Sequence, residues 1–134
     1  MLDMMTYSKE ASGHSFTDAS ILLASDSERH GNRMHQALQQ EGVVTEYAGD
    51  YSQLEKALQR QKFNVVLLEV TGDHAVEAAV AAALRVKRSH GGQFVGYLVD
   101  PHLETRGLAG DAVLPRNVSR LREKLEEILR EEAE

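Results

Sequence analysis

The stretch NVVLLEVTGD (residues 64–73) sets Val65, Val66, Leu67 and Leu68 before a carboxylate, Glu69, and then turns polar. A short apolar run closed by turn residues is the pattern of a strand buried on both faces, as in the centre of a parallel sheet. Glu69 stands where that strand would leave the core. The question is what an acid does at such a point.

Outward from this strand, strand-like and helix-like segments alternate. SILLAS (20–25) predicts a first buried strand. DSERHGNRMHQALQQEG follows, with Met34, Ala37 and Leu38 at helical spacing and Gly42 as its stop. VVTEYAG (43–49) alternates as a second strand. The next helix opens on Asp50 or Ser52 as cap and turns Leu54, Ala57 and Leu58 to one side. FNVVLLEV (63–70) is the third strand. An alanine-rich helix over 75–89 is expected to face inward with Val76, Ala79, Val80, Ala83 and Leu84. GGQFVGYLVDP (91–101) and DAVLPRN (111–117) supply the fourth and fifth strands. A last helix carries Val118, Leu121, Leu125, Ile128 and Leu129 in a stripe.

Parallel neighbours need right-handed helical crossovers, so this alternation predicts an α/β protein with a doubly wound, flavodoxin-like sheet of five parallel strands in the order 2-1-3-4-5. Only about eleven residues (100–110) separate strands four and five, with Gly107 and Gly110 as breakers, so the helix there is expected to be shortened or missing. Residues 1–19 are polar and aperiodic and are expected to form a flexible lead-in to a domain over 20–134.

Composition narrows the function classes. The absence of Cys excludes disulfides, thiolate metal sites and thiol nucleophiles, and fits a cytoplasmic location. No apolar run approaches the roughly 18 residues a membrane span requires, and the N-terminus lacks the plan of a secretory signal. A net charge of -6 argues against direct contact with nucleic acid. His30 and His35 do not share a helix face, no HExxH occurs, and the histidines are expected at the surface. No glycine-rich phosphate loop is present, and nothing in the sequence calls for a cofactor.

In a sheet of this order, ligands bind at the carboxyl ends of strands one and three, where Asp26 and Glu69 stand. Over residues 20–131 these strand ends resemble those of a response-regulator receiver (CheY-like) domain. The resemblance implies two acidic magnesium ligands after strand one, where this chain has Ser25 and Asp26. It implies a phosphoryl-accepting Asp at the end of strand three, where this chain has Glu69. It implies Thr or Ser ending strand four and Lys-Pro ending strand five, where this chain has Leu98 and Leu114 before Pro115. Asp26 alone keeps its residue type, and Glu69 keeps only the charge.

The resemblance therefore implies the degenerate, pseudo-receiver branch: no catalysis, no metal beyond the weak candidate pair Asp26 and Glu69, and a role as a protein-interaction module in bacterial two-component signalling. A phosphoacceptor with an atypical site is the alternative, and a small-ligand binder in the crevice is a third. Glu69 is expected to be a solvated strand-end carboxylate or one paired to a helix N-terminus, with mimicry of a phosphorylated aspartate as the other possibility. Asp26 is expected to cap the first helix, and Arg29 or His30 to pair with Glu69. The partner is expected to be a signalling protein, bound through the first and last helices or the 100–110 region. The alanine-rich helix could instead bring two copies of the chain together.

Overall fold

The computed structural model describes residues 19–99 and 112–133, with side chains through residue 131. In chain order the elements are β1 (Ile21–Ser25), α1 (Glu28–Gln40), β2 (Thr45–Gly49), a 3-10 turn (Tyr51–Gln53) and α2 (Leu54–Arg60). There follow β3 (Val65–Val70), a second 3-10 turn (Asp73–Ala75), α3 (Val76–Ser89), β4 (Phe94–Val99), β5 (Ala112–Leu114) and α4 (Val118–Ala133). The strands form one parallel sheet in the order β2-β1-β3-β4-β5, as the alternation predicts. The expected lead-in and the shortened helix of 100–110 lie outside the described residues, Ala19 excepted. No helix among the described residues is long and apolar enough to cross a membrane.

Two apolar layers sandwich the sheet because its central strands are buried on both faces. On one side Ile21, Leu23, Val65, Leu67, Leu98 and Leu114 pack under α1 and α4 through Met34, Leu38, Leu121 and Leu125. On the other, Leu22, Val66, Leu68, Val95 and Tyr97 pack under α2 and α3 through Leu54, Leu58, Ala79, Ala83 and Val86. Every residue of β3 is buried, which makes the opening apolar run the spine of both layers.

Helix ends follow local chemistry. Ser27, with extended backbone, caps α1 by accepting from the His30 amide. Gly42, at φ +83°, ends the same helix in the left-handed conformation, with its own amide and that of Val43 returning to the carbonyls of Gln39 and Leu38. Asp50 caps the first 3-10 turn through the Ser52 amide.

The sequence expectation for α3 needs correction. Its inward stripe is Ala79, Ala82, Ala83 and Val86, while Leu84 is 45% exposed. The spacing 79, 82, 83, 86 is the stripe that an α-helix presents to one surface, and Leu84 falls a further 100° round from Ala83. His35 is half-buried, not at the surface: its Nε2 lies 2.8 Å from the Thr45 carbonyl oxygen and its ring stacks on Tyr47.

Candidate functional site at the strand ends

The four strand-end positions singled out in the sequence fall in one row. Ser25 registers with Glu69, Glu69 with Leu98, and Leu98 with Leu114. Neighbours in register on parallel strands point to the same face, here the face covered by α1 and α4. The row therefore reads hydroxyl, carboxylate, isobutyl, isobutyl across four strands. Ser25 is buried, and its Oγ accepts from the Ser27 amide at 3.1 Å. Leu98 and Leu114 belong to the apolar layer and bring no hydrogen-bonding group.

Glu69 is fully buried, with no solvent exposure. The expectation of a solvated strand-end acid is thus overturned: the side chain points in among apolar residues beneath α1 and α4. Its partner is neither Arg29, which is exposed, nor His30, whose Nδ1 lies 2.9 Å from Ser27 Oγ. Arg116, two residues beyond Leu114, donates from Nε and from a terminal nitrogen to Glu69 Oε2 at 3.0 and 2.9 Å. Both bonds fall on a single oxygen. Oε1 is buried and has no hydrogen-bond partner.

Sequence reasoning missed Arg116, although a signal was there: no basic residue lies closer in sequence to the carboxyl end of any strand. The cation for this acid stands two residues beyond Leu114, the position at which the resemblance implies a lysine.

Asp26 takes a different place. Ser27 is the residue that caps α1, and Asp26 instead reaches across to the loop after β3. Its Oδ1 accepts from the Thr71 amide at 2.9 Å and its Oδ2 from the Thr71 hydroxyl at 2.8 Å. His74, largely exposed, brings Nε2 to 3.8 Å from Oδ2. One main-chain acceptor, the Glu69 carbonyl, takes two further bonds. The Asp26 amide donates to the Glu69 carbonyl at 3.3 Å and the Tyr51 hydroxyl donates to the same oxygen at 2.7 Å. Burial, and then the charges of Asp26 and Glu69, push the Tyr51 phenol well above its ordinary value, so it stays a neutral donor.

Beside this network an open cavity of about 460 Å³ lies at the ends of β1 and β2, lined by Ser25, Asp26, Glu28, Tyr47, Asp50 and Gln53. Burial, followed by the carboxylates of Glu28, Glu69 and Asp50, likewise holds the Tyr47 phenol above its usual range.

Comparison with solved structures bears on this geometry. The chain superposes on a two-component response regulator from Clostridium difficile with a TM-score of 0.69 at 16% identity, over 87% of this chain and 100% of that one. A CheY-like response-regulator receiver domain from Methanospirillum hungatei gives 0.64 at 21% identity, over 86% and 96%. The fold is that of a receiver domain. NtrX from Brucella abortus matches with a TM-score of 0.70 at 19% identity, over 86% of this chain but 27% of that one, so this chain spans about a quarter of NtrX. No protein-family model matches the chain, and no curated protein matches it. At these identities the likeness establishes the receiver fold, and the side chains at the strand ends have to speak for the chemistry.

Proposed function

We propose that this chain is a receiver-fold signalling module that works without phosphoryl transfer and is not an enzyme, its output being a surface recognised by another signalling protein. The observation that carries the proposal is the burial of Glu69 against Arg116. Phosphoryl transfer to a carboxylate needs an open in-line approach, a metal to bridge oxygens and a cation on the developing charge. Glu69 offers no exposed oxygen to a phosphodonor. Its charge is already matched by a cation within the chain.

The donor set does not fit magnesium. That ion demands near-octahedral oxygen ligation and usually keeps several waters. Both oxygens of Asp26 accept from Thr71, Ser25 Oγ accepts from the Ser27 amide, and Glu69 Oε2 is held by Arg116. Leu98 and Leu114 supply neither the hydroxyl nor the amine that the resemblance calls for.

The test is an amide NMR titration with magnesium, then with magnesium and beryllofluoride, which imitates an acyl phosphate. The expected spectrum is unchanged at Ser25, Asp26, Glu69, Leu98 and Leu114. Saturable shifts confined to those residues would instead make the chain a phosphoacceptor and overturn the proposal.

A second reading, a small ligand in the crevice, is favoured by one observation. The cavity beside β1 and β2 gathers Asp26, Glu28 and Asp50 around the Tyr47 ring, a lining suited to an organic cation. Titration with a small amine would shift Glu28, Tyr47 and Asp50 together if this reading holds. Silence there removes it.

A further inference from the structure

The opposite end of the sheet from the strand-end acids carries a cavity of its own. It measures about 400 Å³ and lies at the amino ends of β3 and β4, where α2 and α3 finish, with Leu58, Lys62, Phe63, His90, Gly91 and Gly92 in its lining. That volume falls within the roughly 300–1,000 Å³ of small-molecule sites. Leu58 and Phe63 belong to the core and give the cavity an apolar side. Among the described residues no carboxylate lines it.

Two observations set this place apart. The first is the pair Gly91–Gly92. Glycine serves where the backbone takes positive φ or where another group must come close. Neither residue has positive φ, which the described glycines adopt only at Gly42 and Gly49. A Cβ at Gly92 would meet nothing within 4 Å, and one at Gly91 only the Lys87 carbonyl oxygen at an ordinary 3.8 Å. The fold therefore requires glycine at neither position, although each costs conformational entropy on folding. Neither amide donates a hydrogen bond among the described residues. Bare backbone beside open space leaves room for a ligand to reach those two donors.

The second observation is charge. Residues 56–64 hold Lys56, Arg60 and Lys62, residues 78–93 hold Arg85, Lys87 and Arg88, and neither stretch has an Asp or Glu, in a chain whose net charge is -6. Compensation of helix dipoles explains part of this, since Arg60, Lys87 and Arg88 lie in the last turns of α2 and α3. Arg60 is also paired with Glu46, and Lys87 Nζ donates to the Gln93 carbonyl. Lys62 lies beyond the end of α2 and is the cation in the lining of the cavity. The dipole effect fades within one turn and does not account for the lack of acids along both stretches.

We infer that this cavity binds a small organic anion, its head on the Gly91 and Gly92 amides and Lys62, its apolar body against Leu58 and Phe63. Charge-assisted hydrogen bonds to the head fix the orientation, and burial of the body adds affinity that an inorganic ion cannot gain. This binding is independent of how Asp26 and Glu69 behave, because they stand at the other end of the sheet.

The experiment is an amide NMR titration of the full chain with phenyl phosphate and with phenylacetate. Inorganic phosphate serves as the control without a body, and benzyl alcohol as the control without a charge. At least one of the two aromatic anions is expected to shift residues 61–64 and 90–93 saturably and to bind more tightly than either control, and the tighter of the two names the head group. Lys62→Gln is expected to weaken it about tenfold, the scale of one charge-assisted hydrogen bond. Lys56→Gln, the same charge change at an exposed site on α2 outside the lining, is expected to leave binding nearly unaltered. Gly92→Ala is expected to weaken binding while raising Tm by roughly 2–4 °C, because the methyl group blocks the approach to the amides and the unfolded chain loses freedom. Unchanged binding in Gly92→Ala, or a lower Tm, would make the glycine a structural one and overturn the inference. Equal loss in Lys56→Gln and Lys62→Gln would reduce the effect to overall charge, and equal binding of a control would remove the need for head or body. Tighter binding of a single-stranded oligonucleotide would assign the basic region to nucleic acid. Each of these outcomes overturns the inference, as does a silent titration.

Discussion

The two carboxylates at the strand ends sit in one small region and are treated in opposite ways. Asp26 has both oxygens satisfied, by the amide and the hydroxyl of a single residue, Thr71, and its own amide returns to the Glu69 carbonyl. Glu69 puts two guanidinium bonds on one oxygen and leaves the other buried without a donor, between Leu98 on one side and Ser25 on the other. The first arrangement is neutral in its demands: a polar staple between β1 and the loop after β3. The second is a buried charge held by one cation. The difference is one of position in the sheet: the acid beside β1 is satisfied by a neighbouring loop, whereas the acid of β3, set among the apolar side chains of β4 and β5, depends on one ion pair.

The comparison breaks most sharply at Arg116. Truncating one member of a buried pair leaves an uncompensated charge, so Arg116→Met is expected to destabilise the fold by about 3 kcal/mol, the lower end of the range because the Arg116 side chain is 22% exposed. Replacing both residues with leucine is expected to recover most of that loss, since well-packed apolar groups often match a buried ion pair. Urea denaturation of Glu69→Leu, Arg116→Leu and the double variant measures the coupling. Additive losses would show that the pair is not a unit, and the contrast between the two carboxylates would fall with it.

A smaller effect is expected on the other side. Asp26→Ala removes both acceptors from Thr71 and strands a partly buried amide, which should cost about 2 kcal/mol. Thr71→Val deletes the hydroxyl alone and should cost about half as much. If Asp26 were instead the cap of α1, its loss would fray Glu28–Gly31 and Thr71→Val would be silent. Hydrogen exchange at those amides tells the two apart.

These contacts also show what could be read in the chain before its structure. Strand order was legible because apolar runs with turn residues fix where strands end, and short crossovers fix which strands adjoin; Ser25, Leu98 and Leu114 were singled out through the resemblance, and the register sets them in one row with Glu69. The first, second and last helices were legible from apolar spacing, and α3 less so: alanines fill nearly every face, and so many small residues give little periodic contrast. Side-chain partners were not legible. Asp26 and Thr71 are 45 residues apart, and Glu69 and Arg116 are 47 apart. Such pairs form only after the sheet brings distant loops together. Arg29 was a natural guess for Glu69 because α1 starts near β3. It failed because helical spacing sends Arg29 to the exposed side while Gly31, Met34 and Leu38 face in. Glu69 itself was placed correctly in the row and wrongly in solvent, because an acid on the core face of a strand betrays its burial only through a partner.

The last prediction concerns the hinge between the two carboxylates, the Glu69 carbonyl, which accepts from both the Tyr51 hydroxyl and the Asp26 amide. Tyr51→Phe keeps the ring in the core and removes one of the two donors, so a loss of about 1 kcal/mol is expected at neutral pH. The pH dependence sharpens it. The phenol is held above its usual value near 10 by burial first, then by the charges of Asp26 and Glu69. Folding therefore favours the neutral form, and that contribution is complete below pH 10. It is lost as pH rises further, because the unfolded chain releases this proton while the folded chain still holds it. The wild-type advantage over Tyr51→Phe should then be constant from neutral pH to about 9 and shrink beyond 10. A constant difference across that boundary would mean that the hydroxyl is not sealed against the Glu69 carbonyl, and that the two carboxylates do not share a common anchor.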